Sequence, residues 1–130
     1  MTKDRLEIRF KELSKILVGE LNDDGFWTGE LSSSALGVAV SVAALHFHNS
    51  EENSKEIQLG LTWLKHTINS DGSYGDTPES PGNISTSLLV YAAIHLYSSN
   101  DEALQQLETN IASYLMLNGI DIRSDKIADA

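Results

Sequence analysis

Two stretches of the chain are apolar at almost every position, and they restrict the fold more than any other feature. They cover residues 35–45 and 88–97. The first run, of about a dozen residues, exceeds the usual strand of four to eight and is shorter than the roughly 20 residues of a membrane-spanning helix. We therefore predict two buried helices, at residues 35–48 and 84–97.

Three amphipathic segments alternate with these apolar runs. Their apolar side chains recur every three or four residues, the period of a helix with one buried face. They are Leu6, Phe10, Leu13 and Leu17; Ile57, Leu61, Leu64 and Ile68; and Leu104, Leu107, Ile111, Tyr114 and Leu115.

Alternation of the two helix types predicts a layered all-α fold. An all-apolar helix needs cover on every side, whereas a helix with one apolar stripe needs one neighbour. We expect helices one, three and five to wrap helices two and four, as in a section of an α/α toroid of about five helices. A globular five-helix bundle is the alternative.

The pattern also indicates a duplicated helix pair. Asp24-Gly25 and Asp71-Gly72 are 47 residues apart, as are Trp27 and Tyr74, a period typical of helix-pair repeats. We predict one domain over residues 1–130, with repeats at about 6–48 and 53–97 and the start of a third from 101. The domain is expected to be incomplete, because the last residues resemble the beginning of a further helix.

Helix ends are indicated by their polar neighbours. Ser32-Ser33-Ser34 is suited to cap the second helix, and Ser99 with Glu102 forms a potential capping box for the fifth. Asn118-Gly119 is a usual signal for a helix carboxyl end.

Composition excludes several function classes. Nineteen Asp and Glu against nine Lys and Arg give a net charge of −10, which disfavours nucleic acid as a partner. The chain has no cysteine, and its four histidines lack metal-ligand spacing, so we predict neither a metal site nor a cofactor. No targeting signal is visible, and a cytoplasmic location is the expectation.

The loops that follow the first and the third predicted helix have the same order of residue types. Asp-Gly comes first, an aromatic residue lies two places later, and a Ser/Thr cluster leads into the inner helix. Burial of the Trp27 and Tyr74 rings against a helix end would contribute about 2 kcal/mol each, so a structural role suffices for both.

With these loops, the chain resembles squalene-hopene cyclase-like and prenyltransferase proteins of the terpenoid cyclase and protein prenyltransferase superfamily. The segments 63–76 and 22–35 resemble the QW repeats of that family, and the resemblance to an amino-terminal section covers residues 6 to 120. The Gln of the motif is replaced by Leu21 and Ile68, so only apolar packing is expected to hold the rings. The family's acidic DxDD motif is absent, and its Asp/Cys/His zinc site lacks the cysteine.

The resemblance implies an isoprenoid ligand and part of an apolar cavity, without a complete catalytic site in this chain. A non-catalytic protein-interaction module on the same fold is the alternative. A lone copy would expose the apolar sides of helices two and four, which predicts a homo-oligomer or a longer chain past Ala130. The resemblance also allows peripheral membrane contact. Ligand-binding candidates are Trp27, Glu30, Trp63, Tyr74, Asp76 and Tyr91, with Tyr97 as a further aromatic; no catalytic residue is assigned.

Overall fold

A computed structural model describes residues 3–29 and 32–122. Glu30 lies outside the described residues, as does most of the tail at 118–128 that is predicted to begin a further helix; the described part of that tail, 118–122, is not helical. The described part is all-helical, and it falls into two compact units, one up to Leu31 and one from Ser32 onward. The helices are α1 (Lys3–Gly19), α2 (Ala35–Asn49), α3 (Ser54–Thr67), α4 (Ile84–His95) and α5 (Glu102–Leu117), with a 3₁₀ turn at Ser98–Asn100.

The first unit consists of α1 and the turn that follows it. None of the α1 residues is buried, and the stripe of Leu6, Phe10, Leu13 and Leu17 is exposed along its length. The helix ends at Gly19, and the chain then turns through Gly25, whose φ of 82° lies in the left-handed region that favours glycine.

In the second unit, α2 and α4 pack against each other, and each is covered by one amphipathic helix. α3 packs on α2, α5 packs on α4, and α3 also contacts α5. The two amphipathic helices therefore form one layer, and the two apolar helices form the other. For residues 32–122 this is the predicted alternation of inner and outer helices.

The core of this unit lies between the two layers. The outer helices contribute larger aliphatic side chains, and α2 contributes mostly small ones, so that helices approach closely. A Cβ on Gly60 would come within 2.8 Å of a Val42 methyl group, which shows how near α3 lies to α2. The buried apolar residues are Ala35, Ala39, Val42, Ile57, Leu61, Leu64, Tyr74, Val90, Ala93, Ile94, Leu104, Leu107, Ile111 and Leu115.

Two of the three predicted helix ends are confirmed. Ser34 caps α2 by accepting a hydrogen bond from the Gly37 amide at 3.2 Å, and α5 ends at Leu117 before Asn118-Gly119. The predicted capping box of Ser99 and Glu102 is wrong.

Asp101 caps α5 instead of Ser99. One of its carboxylate oxygens accepts from the Ala103 and Leu104 amides, and the other accepts from Lys65 Nζ at 2.7 Å. These charge-assisted bonds are stronger than those of a neutral hydroxyl, which explains the choice of cap. The bond from Lys65 is the main reason that the pKa of Asp101 is below its usual range.

Within the described residues, every helix is too short or too polar to cross a membrane.

Candidate functional site

The turn after α1 is stabilised by hydrogen bonds of Asn22 and of the Trp27 ring. The Asn22 side chain accepts from the Asp24 and Phe26 amides, and the Asn22 amide donates to the Phe26 carbonyl. Trp27 Nε1 donates to the carbonyl oxygen of Leu17, in the last turn of α1, at 2.6 Å. The ring remains 52% exposed, so the expected burial of Trp27 is wrong for this structure.

The turn after α3 has the same backbone pattern with a buried aromatic. The Asn69 amide donates to the Ser73 carbonyl, and Gly72 has a φ of 84°. The Tyr74 hydroxyl donates to the carbonyl oxygen of Leu64, in the last turn of α3, at 2.6 Å. Tyr74 is 1% exposed, and burial raises the pKa of its hydroxyl well above the usual value.

Trp27 and Tyr74 therefore make the same connection in the two loops. Each ring donates from its polar atom to a carbonyl ten residues earlier, and the two carbonyls belong to Leu17 and Leu64, which are themselves 47 residues apart. Carbonyls in the last turn of a helix lack their regular partner within the helix, and these bonds supply one for Leu64 and add to the bond from the Glu20 amide for Leu17. The expectation that only apolar packing holds the rings is thus wrong.

The longer second loop is anchored to the start of α4. Ser87 Oγ accepts from the Tyr74 amide at 2.9 Å, and Asn83 caps α4 through the Thr86 amide. The carboxylate of Asp76 accepts from both Asn83 Nδ2 and Thr86 Oγ1. These contacts give Asp76, a predicted ligand residue, a structural connection to the helix cap.

The side of the inner layer away from α3 and α5 is an exposed apolar surface, which we call the open face. α2 and α4 contain no Asp, Glu, Lys or Arg, so no acidic side chain, lysine or arginine projects from them. A surface helix of a soluble protein usually carries charges on its exposed side. The open face consists of Leu36, Val40 and Phe47 on α2 and Ile84 and Leu89 on α4.

Polar groups gather where α2 and α4 end. His46 Nδ1 and the Tyr97 hydroxyl are 2.7 Å apart, and partial burial raises the pKa of Tyr97. His95 Nδ1 and Glu108 Oε1 are 2.6 Å apart, which connects α4 to α5. His46 and His95 lie in the last turns of α2 and α4.

The structure does not bring the predicted ligand residues together. Tyr74 is buried in the loop and has almost no ring surface open to a ligand, while Trp63 and Tyr91 are partly buried beside the core. Trp27 belongs to the other compact unit. These residues therefore stay predictions as ligand contacts, and no group of three or more metal-binding side chains occurs among the described residues.

Sequence reasoning missed Ser87 and Glu108. The sequence presents Ser87 only as one member of a Ser/Thr cluster at the start of the inner helix. In the structure, its hydroxyl oxygen accepts the hydrogen bond from the Tyr74 amide. Glu108 lies one helical turn after Leu104 on α5 and carries no motif, so its contact with His95 could not be foreseen.

Comparison with known proteins identifies the family. Residues 10–114 match the squalene-hopene cyclase N-terminal domain. The match covers most of the chain, and the chain therefore belongs to this family, whose fold is of the α/α toroid class. The prediction of an all-α section of an α/α toroid is confirmed.

One curated protein of this family is similar to the chain over part of its length. The chain is similar to squalene hopane cyclase afumA of Aspergillus fumigatus, with 30% identity over 84 residues. Those residues are 65% of this chain and 11% of that protein, so the chain spans only a small part of its relative. No solved structure matches the chain.

Proposed function

We propose that this chain forms part of the wall of an apolar cavity that holds a long isoprenoid, and that the open face is the surface the ligand contacts. The observation that carries the proposal is the exposure of large apolar side chains on two helices without acidic, lysine or arginine side chains. Val40 is 52% exposed and Phe47 is 77% exposed. Such a surface suits a hydrocarbon, which offers neither charge nor hydrogen bonds.

Family membership supports the class of ligand. The similar protein is named a squalene hopane cyclase, and squalene is a hydrocarbon isoprenoid. Asp76 in the second loop and Ser87 in the first turn of α4 are occupied in holding the fold. The proposed contribution of this chain is therefore binding and shape, without an assigned catalytic residue.

We also propose that the helix pairs α1–α2 and α3–α4 are two copies of one unit. The support is the equivalent pair of hydrogen bonds from Trp27 and Tyr74 to carbonyls 47 residues apart, together with glycines of positive φ at Gly25 and Gly72.

Photolabelling tests the cavity proposal. The 130-residue chain would be irradiated with a farnesol derivative that carries a diazirine, and labelled peptides would be mapped by mass spectrometry. We expect labels in α2 and α4. Val40→Asp should reduce them about ten-fold, because a carboxylate against an apolar ligand costs about 1–3 kcal/mol.

Leu59→Asp is the matched control. Leu59 is 63% exposed on α3, in the outer layer, so the same change in charge should leave labelling of the open face intact. Labels spread over all helices, or an equal loss in both variants, would refute the proposal.

Native mass spectrometry of the same samples tests whether a second copy of the chain, rather than an isoprenoid, covers the open face. A dimer that Val40→Asp dissociates, together with no labelling of α2 or α4, would assign the open face to a second copy of the chain rather than to an isoprenoid.

A further inference from the structure

A groove between α4 and α5 lies apart from the open face. It has a volume of about 440 Å³, within the usual size range of sites for small ligands. Its apolar wall comprises Tyr91, Ala112, Met116 and Ile122, and Glu108 contributes a carboxylate.

The carboxylate is held in place and partly shielded from water. The Glu108 side chain is 16% exposed, and its Oε1 lies 2.6 Å from His95 Nδ1. Within the described part of the chain, Oε2 makes no hydrogen bond of its own and is available as an acceptor. Shielding strengthens the attraction of this oxygen for a cation relative to a carboxylate in open water.

Two hydroxyl groups beside Glu108 on α5, those of Thr109 and Ser113, also present acceptors. Thr109 Oγ1 donates its proton to the Gln105 carbonyl at 2.9 Å, and Ser113 Oγ donates to the Thr109 carbonyl at 2.9 Å. Only the lone pairs of these hydroxyls remain for a ligand. None of the described residues that line the groove is basic. The groove therefore selects ligands that donate hydrogen bonds and disfavours anions.

The apolar wall suits a cation that carries a hydrocarbon group. The Tyr91 ring, which is stacked with the His95 ring on the same helix at a centroid distance of 6.0 Å, contributes an aromatic surface to this wall. Met116 adds a polarisable thioether beside Ala112 and Ile122. The net charge of −10 further favours a cation near the chain.

We propose that this groove binds a primary organic ammonium with an apolar substituent. The ammonium contacts Glu108 Oε2 and the hydroxyl lone pairs, and the substituent lies against Tyr91 and Met116. The site is distinct from the open face, because none of the residues that define the open face lines the groove.

Titration of the ¹⁵N-labelled chain with benzylammonium tests the proposal, with benzyl alcohol as the neutral analogue of similar shape. Saturable shifts of amide signals should be confined to residues 91–95 and 108–122, and the alcohol should bind at least about ten-fold more weakly because it lacks the charge.

Glu108→Gln should weaken benzylammonium binding by about ten-fold, whereas Glu102→Gln, in the first turn of the same helix, should leave it unchanged. Met116→Ala keeps the carboxylate and should weaken binding of both probes, which gives a test even if Glu108→Gln does not fold.

Absence of saturation at tens of millimolar benzylammonium, equal binding of the alcohol, or equal effects of the two glutamine variants would each overturn the proposal.

Discussion

Replacing Tyr74 by phenylalanine removes one hydroxyl from the second loop and leaves the ring in place. The hydroxyl donates to the Leu64 carbonyl at 2.6 Å, and both residues are buried. Tyr74→Phe therefore leaves a buried carbonyl without this donor, at a cost of about 1–3 kcal/mol. For a unit of this size the Tm should fall by roughly 5–15 °C, measured by circular dichroism at 222 nm.

The same variant should change the response to alkaline pH. Burial raises the pKa of Tyr74, so its hydroxyl keeps its proton in the folded chain where a tyrosine of the unfolded chain, with a pKa of about 10, releases it. Above pH 10 the folded state then binds more protons, and the free energy of unfolding falls by up to about 1.4 kcal/mol per pH unit. In Tyr74→Phe, the free energy of unfolding should therefore fall less steeply above pH 10 than in the wild type.

Tyr97→Phe is the control for the thermal melts. Its hydroxyl meets the His46 side chain, which is partly exposed and can turn to water, so we expect a loss below about 1 kcal/mol. An unchanged Tm for Tyr74→Phe, or an alkaline decline as steep as that of the wild type, would show that the bond to Leu64 does not hold the loop.

Two further predictions concern backbone geometry and a cap. Both Gly72→Ala and Gly25→Ala place a Cβ on a residue of positive φ, which costs roughly 1–2 kcal/mol, but only the Cβ at Gly72 comes within 2.6 Å of a carbonyl oxygen of α5. Amide hydrogen exchange should therefore rise more around residue 72 in Gly72→Ala than around residue 25 in Gly25→Ala. Equal effects would contradict the close contact. Asp101→Ala removes the α5 cap and the partner of Lys65 and should lower the Tm at pH 7. Because the pKa of Asp101 is lowered, this stabilisation is present above about pH 4 and is lost as pH falls further, so melts of variant and wild type should converge in acid; a constant difference would refute the assignment.

The helices were predictable because their signals are local. α2 was predicted at 35–48 and ends at Asn49, since a long apolar run and a serine cap leave few alternatives. α4 was predicted to reach residue 97 and ends at His95, where the chain enters the 3₁₀ turn at Ser98–Asn100. Helix ends depend on competing caps a few residues apart, as the choice of Asp101 over Ser99 shows.

The contacts of the loops were less predictable because they depend on geometry across several residues. The sequence showed an aromatic residue two places after Asp-Gly in both loops, but it could not show that the polar atoms of these rings reach carbonyl oxygens ten residues earlier. It also gave Trp27 and Tyr74 the same expected burial, although one ring is half exposed and the other is enclosed. Burial depends on which neighbours cover the ring, and that information is not local.

The hydrogen bonds that hold the loops and the apolar surface proposed for the ligand use different residues. Trp27 and Tyr74 reach their carbonyls through hydrogen bonds of their own, so both turns form with apolar Leu21 and Ile68 before them. None of the side chains of the open face takes part in a hydrogen bond within the described residues. Substitution of an exposed residue such as Val40 should therefore alter what the surface binds while the turns and the core stay intact.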